Sequence, residues 1–199
     1  CEMPAEARVR LIRAAAEVMR TRRFETLRVM ADETGKTVHE ADPEVSEAID
    51  FAEFYAGPGI QLLERLAADG LTVTGRGVVT VIGPWNFPYA IPAGGVFAAL
   101  SAGNTVILKP APESVRVAAL LVEQLHQAGV PRDVVQLVVC EDGPIGRHLV
   151  THEGADTVVL TGSLATADLF RSWRPDLRLF GETSGKNAMV ITAAADLDL

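Results

Sequence analysis

An α/β fold with a parallel sheet is predicted by two features of the sequence. From Leu71 onward, short runs of β-branched residues alternate with segments of helical periodicity, the pattern of successive strand–helix–strand units. The first 70 residues carry helical spacing only, so helices flank the sheet before it begins.

The elements can be taken in order. Within 5–21, Val9, Ile12, Ala16 and Met19 recur at three- and four-residue spacing, which predicts an amphipathic helix. A second helix over 23–33 ends at Gly35. Pro43 is expected at the first position of a third helix, continued by Val45, Ile49, Ala52 and Phe54 and interrupted at Gly57-Pro58-Gly59. Strands are then predicted over 78–82, 105–108, 134–139, 157–160 and 188–192. Helices are predicted between them, over 92–101, 114–128, 145–150 and 164–172. The sequence shows no internal repeat.

At 199 residues and 48% hydrophobic content, the chain can bury a sizeable core. Its formal net charge of −8 argues against a surface that tracks nucleic-acid phosphates. The arginines clustered from Arg8 to Arg23 are interleaved with Glu2, Glu6 and Glu17 and read as a solvated helix face. Gly, Pro or charged residues break every apolar run short of a membrane span. No signal peptide is visible, and a start at Cys1 rather than Met suggests a longer parent. Two cysteines make no disulfide framework, which fits a reducing cytoplasm.

Three suggestive motifs are decoys. Gly35-Lys36-Thr37 resembles the end of a P-loop, but Met30 stands where its first glycine must be, so it reads as a helix C-cap. Gly75-Arg76-Gly77 resembles a dinucleotide fingerprint, yet it precedes a strand and has Thr80 in the third glycine's place. Cys140 follows an apolar run, the setting of an inert packing thiol. The four histidines lack zinc spacing, and no Gly-x-Ser-x-Gly elbow occurs.

Two other segments carry chemistry. Pro84-Trp85-Asn86-Phe87-Pro88 follows a predicted strand and holds one amide donor in a stiffened loop. Asn86 can donate to a developing oxyanion, or more plainly can bond its own turn. In Gly181-Glu182-Thr183-Ser184-Gly185-Lys186-Asn187, Glu182 can take a proton from water. A carboxylate at the end of an apolar strand is costly unless functional or paired, and the plainer reading pairs it with Lys186. Between them, Lys109-Pro110-Ala111-Pro112-Glu113 closes one strand, and Glu141-Asp142-Gly143-Pro144-Ile145-Gly146 turns into a helix. Thr161-Gly162-Ser163 opens another helix, whose free N–H groups suit a pyrophosphate, with Ser163 as an N-cap in the plainer reading.

These motifs, in this order, resemble the aldehyde dehydrogenase superfamily over the whole length of the sequence. The resemblance implies a Rossmann-like α/β dinucleotide-binding domain over 71–199, with 1–70 as its flanking helical segment. It implies Asn86 as the oxyanion donor and Glu182 as the base that activates water. Ile82, Gly83, Pro84 and Trp85 are expected along the nicotinamide-ribose side and Lys109 on the adenosine ribose. Gly143 and Gly146 are expected near adenine, Gly162 and Ser163 at the pyrophosphate, and Thr183 beside the cofactor. Pro112 stands where a common family form has a glutamate that disfavours NADP, so NAD is the expected cofactor with NADP left open. Leu164-Ala165 replaces the family's usual Thr-Glu after Ser163.

The family's nucleophilic cysteine lies beyond its glutamate, so the resemblance implies a cofactor-binding part ending before the thiol. The spelling Glu-Thr-Ser-Gly-Lys-Asn-Ala is similar to that of 1-pyrroline-5-carboxylate dehydrogenases. This implies oxidation of L-glutamate 5-semialdehyde to L-glutamate, with another semialdehyde such as succinate semialdehyde as alternative. An aldehyde is the implied small-molecule partner, and a homo-oligomer is implied for the full-length protein. The reading left standing against all this is a non-catalytic nucleotide-binding or scaffold fragment.

Overall fold

The computed structural model describes residues 3–185 and 187–196. Helices α1 (Ala5–Thr21), α2 (Arg23–Thr34) and α3 (Val38–Phe54) precede the sheet, and their ends follow from local chemistry. Gly35 terminates α2 with φ +68°, a left-handed conformation that only glycine adopts freely, and its N–H bonds Ala31 O. Thr37 then opens α3 through a capping box with Glu40. This cap starts the helix earlier than expected and leaves Pro43 inside α3 rather than at its first position. A π-helical turn, Tyr55–Gly59, takes up the Gly57-Pro58-Gly59 interruption and leads into α4 (Ile60–Ala68).

Among the described residues, the sheet contains five parallel strands: β1 (Val78–Ile82), β2 (Thr105–Lys109), β3 (Val135–Leu137), β4 (Thr157–Gly162) and β5 (Leu179–Thr183). Their order is β3-β2-β1-β4-β5. The chain works outward from the central β1 to β3, then crosses back to lay β4 on the other side of β1. Helices α5 (Ala90–Ser101), α6 (Val115–Gln127), α7 (Pro144–Thr151) and α8 (Leu164–Trp173) connect the strands. No helix among the described residues is long and apolar enough to cross a membrane.

A second expectation also fails. Residues 188–192 form no strand, and the fifth strand is instead Leu179–Thr183. Met189, Val190 and Ile191 are 86%, 84% and 63% exposed, so this β-branched run finds no described surface on which to pack. Strand propensity expresses a fit to a half-buried pleated surface, and the described residues offer none to this run.

The two faces of the sheet bury different helices. Val79 and Val81 of β1 and Val106 and Leu108 of β2 join α1, α2, α3, α5 and α6 in the larger core. Ile82, Val158 and Leu160 face a smaller cluster that includes Val150 of α7 and Ala167 and Phe170 of α8. Helix α5 lies especially close to its neighbours. A Cβ on Gly94 would come within 3.0 Å of the Phe51 ring, and one on Gly95 within 2.9 Å of Val81.

Buried polar groups in the larger core are paired across elements. The Tyr89 hydroxyl donates to Gln124 Oε1 at 2.6 Å, and Gln124 Nε2 donates to Thr26 Oγ1 at 3.0 Å. All three side chains are essentially inaccessible to water. Tyr89→Phe is therefore expected to leave Gln124 short of a donor and to cost about 1–3 kcal/mol at neutral pH, read by urea denaturation. Burial raises the Tyr89 phenol well above its ordinary range. The unfolded phenol ionises near pH ~10 while the folded one stays neutral, so this stabilisation is complete below that pH and is lost as pH rises through the folded value. The stability gap between wild type and Tyr89→Phe should therefore narrow above pH ~10.

Candidate active site

The carboxyl ends of all five strands open on one side of the sheet, and the predicted site residues arrive there from separate segments. At the end of β1, Gly83 N–H donates to Lys109 O at 3.3 Å and prolongs the ladder by one residue. A Cβ on Gly83 would lie 2.5 Å from Pro92 Cγ, so the start of α5 comes too close for any side chain there. The chain then crosses the strand ends as Pro84–Pro88, with Trp85 60% exposed and Asn86 also exposed.

Lys109 ends β2 but is not a solvated lysine. It is 5% exposed, and its ammonium donates to Asp142 Oδ1 at 2.9 Å. A buried cation needs such a partner. The partner comes from the turn before α7, where Gly143 is the N-cap. Gly146, one turn into α7, would place a Cβ 3.1 Å from Glu141 O, so the helix packs directly on the turn. Asp142 was not singled out from the sequence. The sequence carries no signal for it, because the turn meets Lys109 only once the chain is folded.

Gly162 ends β4, and Ser163 caps α8. The Ser163 hydroxyl accepts the Thr166 N–H at 3.0 Å and shares a second hydrogen bond with the Thr166 hydroxyl at 2.8 Å. The cap is real, and it leaves the first turn of α8 facing the strand ends. On β5, Glu182 aligns with Thr161 and Thr183 with Gly162. Glu182 is exposed rather than set in an apolar strand end, because β5 is an edge strand whose middle residues face solvent. Lys186, the alternative partner for Glu182, lies outside the described residues.

One groove of about 880 Å³, open to solvent, joins these groups. Ile82, Gly83, Pro84, Trp85, Asn86, Lys109, Gly143, Gly146, Gly162, Ser163, Glu182 and Thr183 all line it. Cys140 does not; it is half-buried beyond the end of β3. The decoys have structural roles. The N–H groups of Arg76 and Gly77 are held by the Asn104 side chain beneath the start of β1. Gly35 is a helix cap.

The groove can hold a long, polar, anionic ligand. The N-terminus of α8 offers backbone donors to an anion, Lys109 offers a cation, and Asn86 and Glu182 stand along the same space as an amide donor and a carboxylate. It also lies where strand order reverses between β1 and β4, the crevice in which open α/β sheets bind ligands.

Comparison with known proteins agrees with this architecture. A 1-pyrroline-5-carboxylate dehydrogenase of Bacillus cereus (strain B4264) is 37% identical over 216 residues, covering 98% of this chain and 41% of that protein. The proline utilization A (PutA) structure from Corynebacterium freiburgense superposes with a TM-score of 0.82 at 45% identity, over 92% of this chain and 19% of the other. A mutant of Thermus thermophilus 1-pyrroline-5-carboxylate dehydrogenase gives 0.83 at 34% identity, over 93% and 39%. The chain thus spans about two-fifths of the curated relative's length. The family model described as "Aldehyde dehydrogenase family" matches residues 1–199, and the chain belongs to that family.

Proposed function

We propose that this chain is the dinucleotide-binding part of an NAD-dependent aldehyde dehydrogenase that oxidises L-glutamate 5-semialdehyde to L-glutamate. The observation that carries the reading is convergence. Residues chosen from five separate segments, 82–86, 109, 143–146, 162–163 and 182–183, line a single groove. The substrate rests on the relatives named 1-pyrroline-5-carboxylate dehydrogenase and on the Glu-Thr-Ser-Gly-Lys-Asn-Ala spelling. The same reading makes the full-length protein a cytoplasmic homo-oligomer.

The groove fits a dinucleotide. A Cβ on Gly143 would meet nothing within 4 Å, and one on Gly162 only a Leu160 methyl at 3.5 Å. Side chains there would fill the groove instead of clashing with the protein, so the glycines keep ligand space open. Gly162, Ser163 and the first turn of α8 would hold the pyrophosphate, Lys109 the adenosine ribose, and Ile82–Trp85 the nicotinamide side. The chemistry a bound nicotinamide supplies is acceptance of the hydride.

The chain's own residues divide the remaining work. When a thiolate adds to the aldehyde carbon, the carbonyl electron pair moves onto oxygen, and the Asn86 amide N–H donates to that charge. On this reading the thiolate comes from outside residues 1–199. When water attacks the resulting thioester, Glu182 takes its proton while the thiolate departs. The exposure of Glu182 leaves it open to both water and acyl group.

Two experiments test the reading. In the full-length enzyme, Asn86→Ala should abolish the initial burst of reduced cofactor and slow acylation by about a hundred- to a thousandfold. Glu182→Gln should keep the burst and slow the steady state by about a hundred- to ten-thousandfold. Equal loss of the burst in both variants contradicts the division of labour, and wild-type turnover in both contradicts the site.

The cofactor assignment is tested by titrating residues 1–199 with NAD and with NADP. Lys109→Ala should weaken NAD binding by about ten- to a hundredfold, the loss of one charge-assisted hydrogen bond. Unchanged affinity places the dinucleotide elsewhere. Because Pro112 carries no carboxylate, NADP is expected to be excluded less strongly than in relatives with glutamate there.

A further inference from the structure

The geometry points to Lys36 and Glu44, two charged residues of the N-terminal helical segment, as positioning residues for Asn86. The inference rests on the oxyanion role proposed for Asn86. Glu44 lies in α3 and is 1% exposed, although its carboxylate belongs to neither the groove nor the surface. Its Oε1 accepts the N–H of Tyr89 at 2.8 Å and that of Ala90 at 3.0 Å. Its Oε2 pairs with the Lys36 ammonium. Lys36, just beyond the Gly35 cap, also donates to the backbone carbonyl of Asn86 at 2.9 Å. The same ammonium stands 4.0 Å from the centre of the Phe87 ring.

One buried ion pair therefore grips the segment from Asn86 to Ala90 at four points. Each point has its own chemical reason. The first N–H groups of α5 lack partners within the helix, and a carboxylate there is favoured by the helix dipole as well. An ammonium against an aromatic face gains further where water is partly excluded. A buried ion pair adds little net stability because desolvating both charges offsets their attraction. What it does supply here is a fixed backbone. Lys36 binds the carbonyl oxygen of Asn86, so it orients that residue without occupying the side-chain amide.

Accurate placement matters for an oxyanion donor. A displacement of about 1 Å at a reacting centre can cost roughly a hundredfold in rate. The loop itself has no helix or strand to hold it between Gly83 and Ala90. The other features of the sequence nearby, Pro84 and Pro88, stiffen the chain but do not anchor it to α3. Lys36 and Glu44 provide that anchor, from a segment that contributes no residue to the groove.

The test uses the full-length enzyme, the substrate aldehyde and stopped-flow measurement of the burst rate constant. Lys36→Met should slow the burst by about tenfold or more, with dinucleotide Kd unchanged within about twofold because Lys36 lies outside the groove. Lys36→Arg, which keeps the charge and donors, should restore most of the rate. The double variant Lys36→Met/Asn86→Ala should be no slower than Asn86→Ala alone, since nothing remains to be positioned. A merely structural role would lower burst amplitude, the fraction of active sites, and leave the rate constant per site intact.

Phe87→Leu removes only the aromatic contact at a partly exposed position and should slow the burst by about threefold; it serves as the test where Lys36→Met does not fold. An unchanged burst rate constant in Lys36→Met, or in Phe87→Leu in its place, overturns the inference. So does a double variant whose losses multiply. If Asn86→Ala itself keeps the wild-type burst, the oxyanion role fails first and the positioning role falls with it.

Discussion

All five strands run in the same direction, and this constraint organises the rest of the molecule. Parallel pairing puts every carboxyl end on one side, so each strand delivers the next residues of the chain to a common edge. The central strand, β1, then parts the connections, because the chain leaves it toward β2 and returns past it to β4. The crevice follows from that reversal and not from any single motif. Asn86, Lys109, Gly143, Ser163 and Glu182 share a groove because each follows or ends a strand in one parallel array, or starts the helix that leads back to it.

The N-terminal helices are joined to this array more closely than a flanking role requires. Ile12, Met19, Met30 and Val45 belong to the same core as Val81 and Leu108. Tyr89 touches that core from the other direction, with its hydroxyl on Gln124 of α6 and its N–H on Glu44 of α3. The glycines of α5 let the helix sit down between β1 and α3. The loop after β1 thus sits against several packed elements at once, and Lys36, distant in sequence, donates to its Asn86 carbonyl.

How much could be read from the sequence depended on the range of each interaction. Gly35, the Pro84–Pro88 loop and the Ser163 cap are local devices, set by allowed backbone angles or by orphan N–H groups a few residues away, and all were legible. The strand at 157–162 was legible because its β-branched run is buried on both sides. The run at 188–192 has similar composition and no described neighbour, so composition alone misplaced the fifth strand. The two ion pairs were invisible for a different reason. Lys109 meets Asp142 and Lys36 meets Glu44 only after the chain has folded, and nothing in the spacing of either pair distinguishes it from ordinary surface charge. Glu182 shows the intermediate case: its motif stood out, but its exposure depends on the edge position of β5.

That edge position has a mechanical meaning. Among the described residues, β1 is hydrogen-bonded on both sides, whereas β5 pairs with β4 alone, and Phe180, near Glu182 on the same strand, is 56% exposed. Backbone openings are cheapest where few buried contacts resist them, so amide exchange should be faster along β5 than along β1. The amide donor consequently follows a strand paired on both sides, and the carboxylate sits on a strand paired on one side. A group that must meet a charge at a fixed point gains from rigidity, while one that must admit water and then let product leave can tolerate motion. The difference in stiffness between the two ends of the groove matches the difference in what each end would have to do.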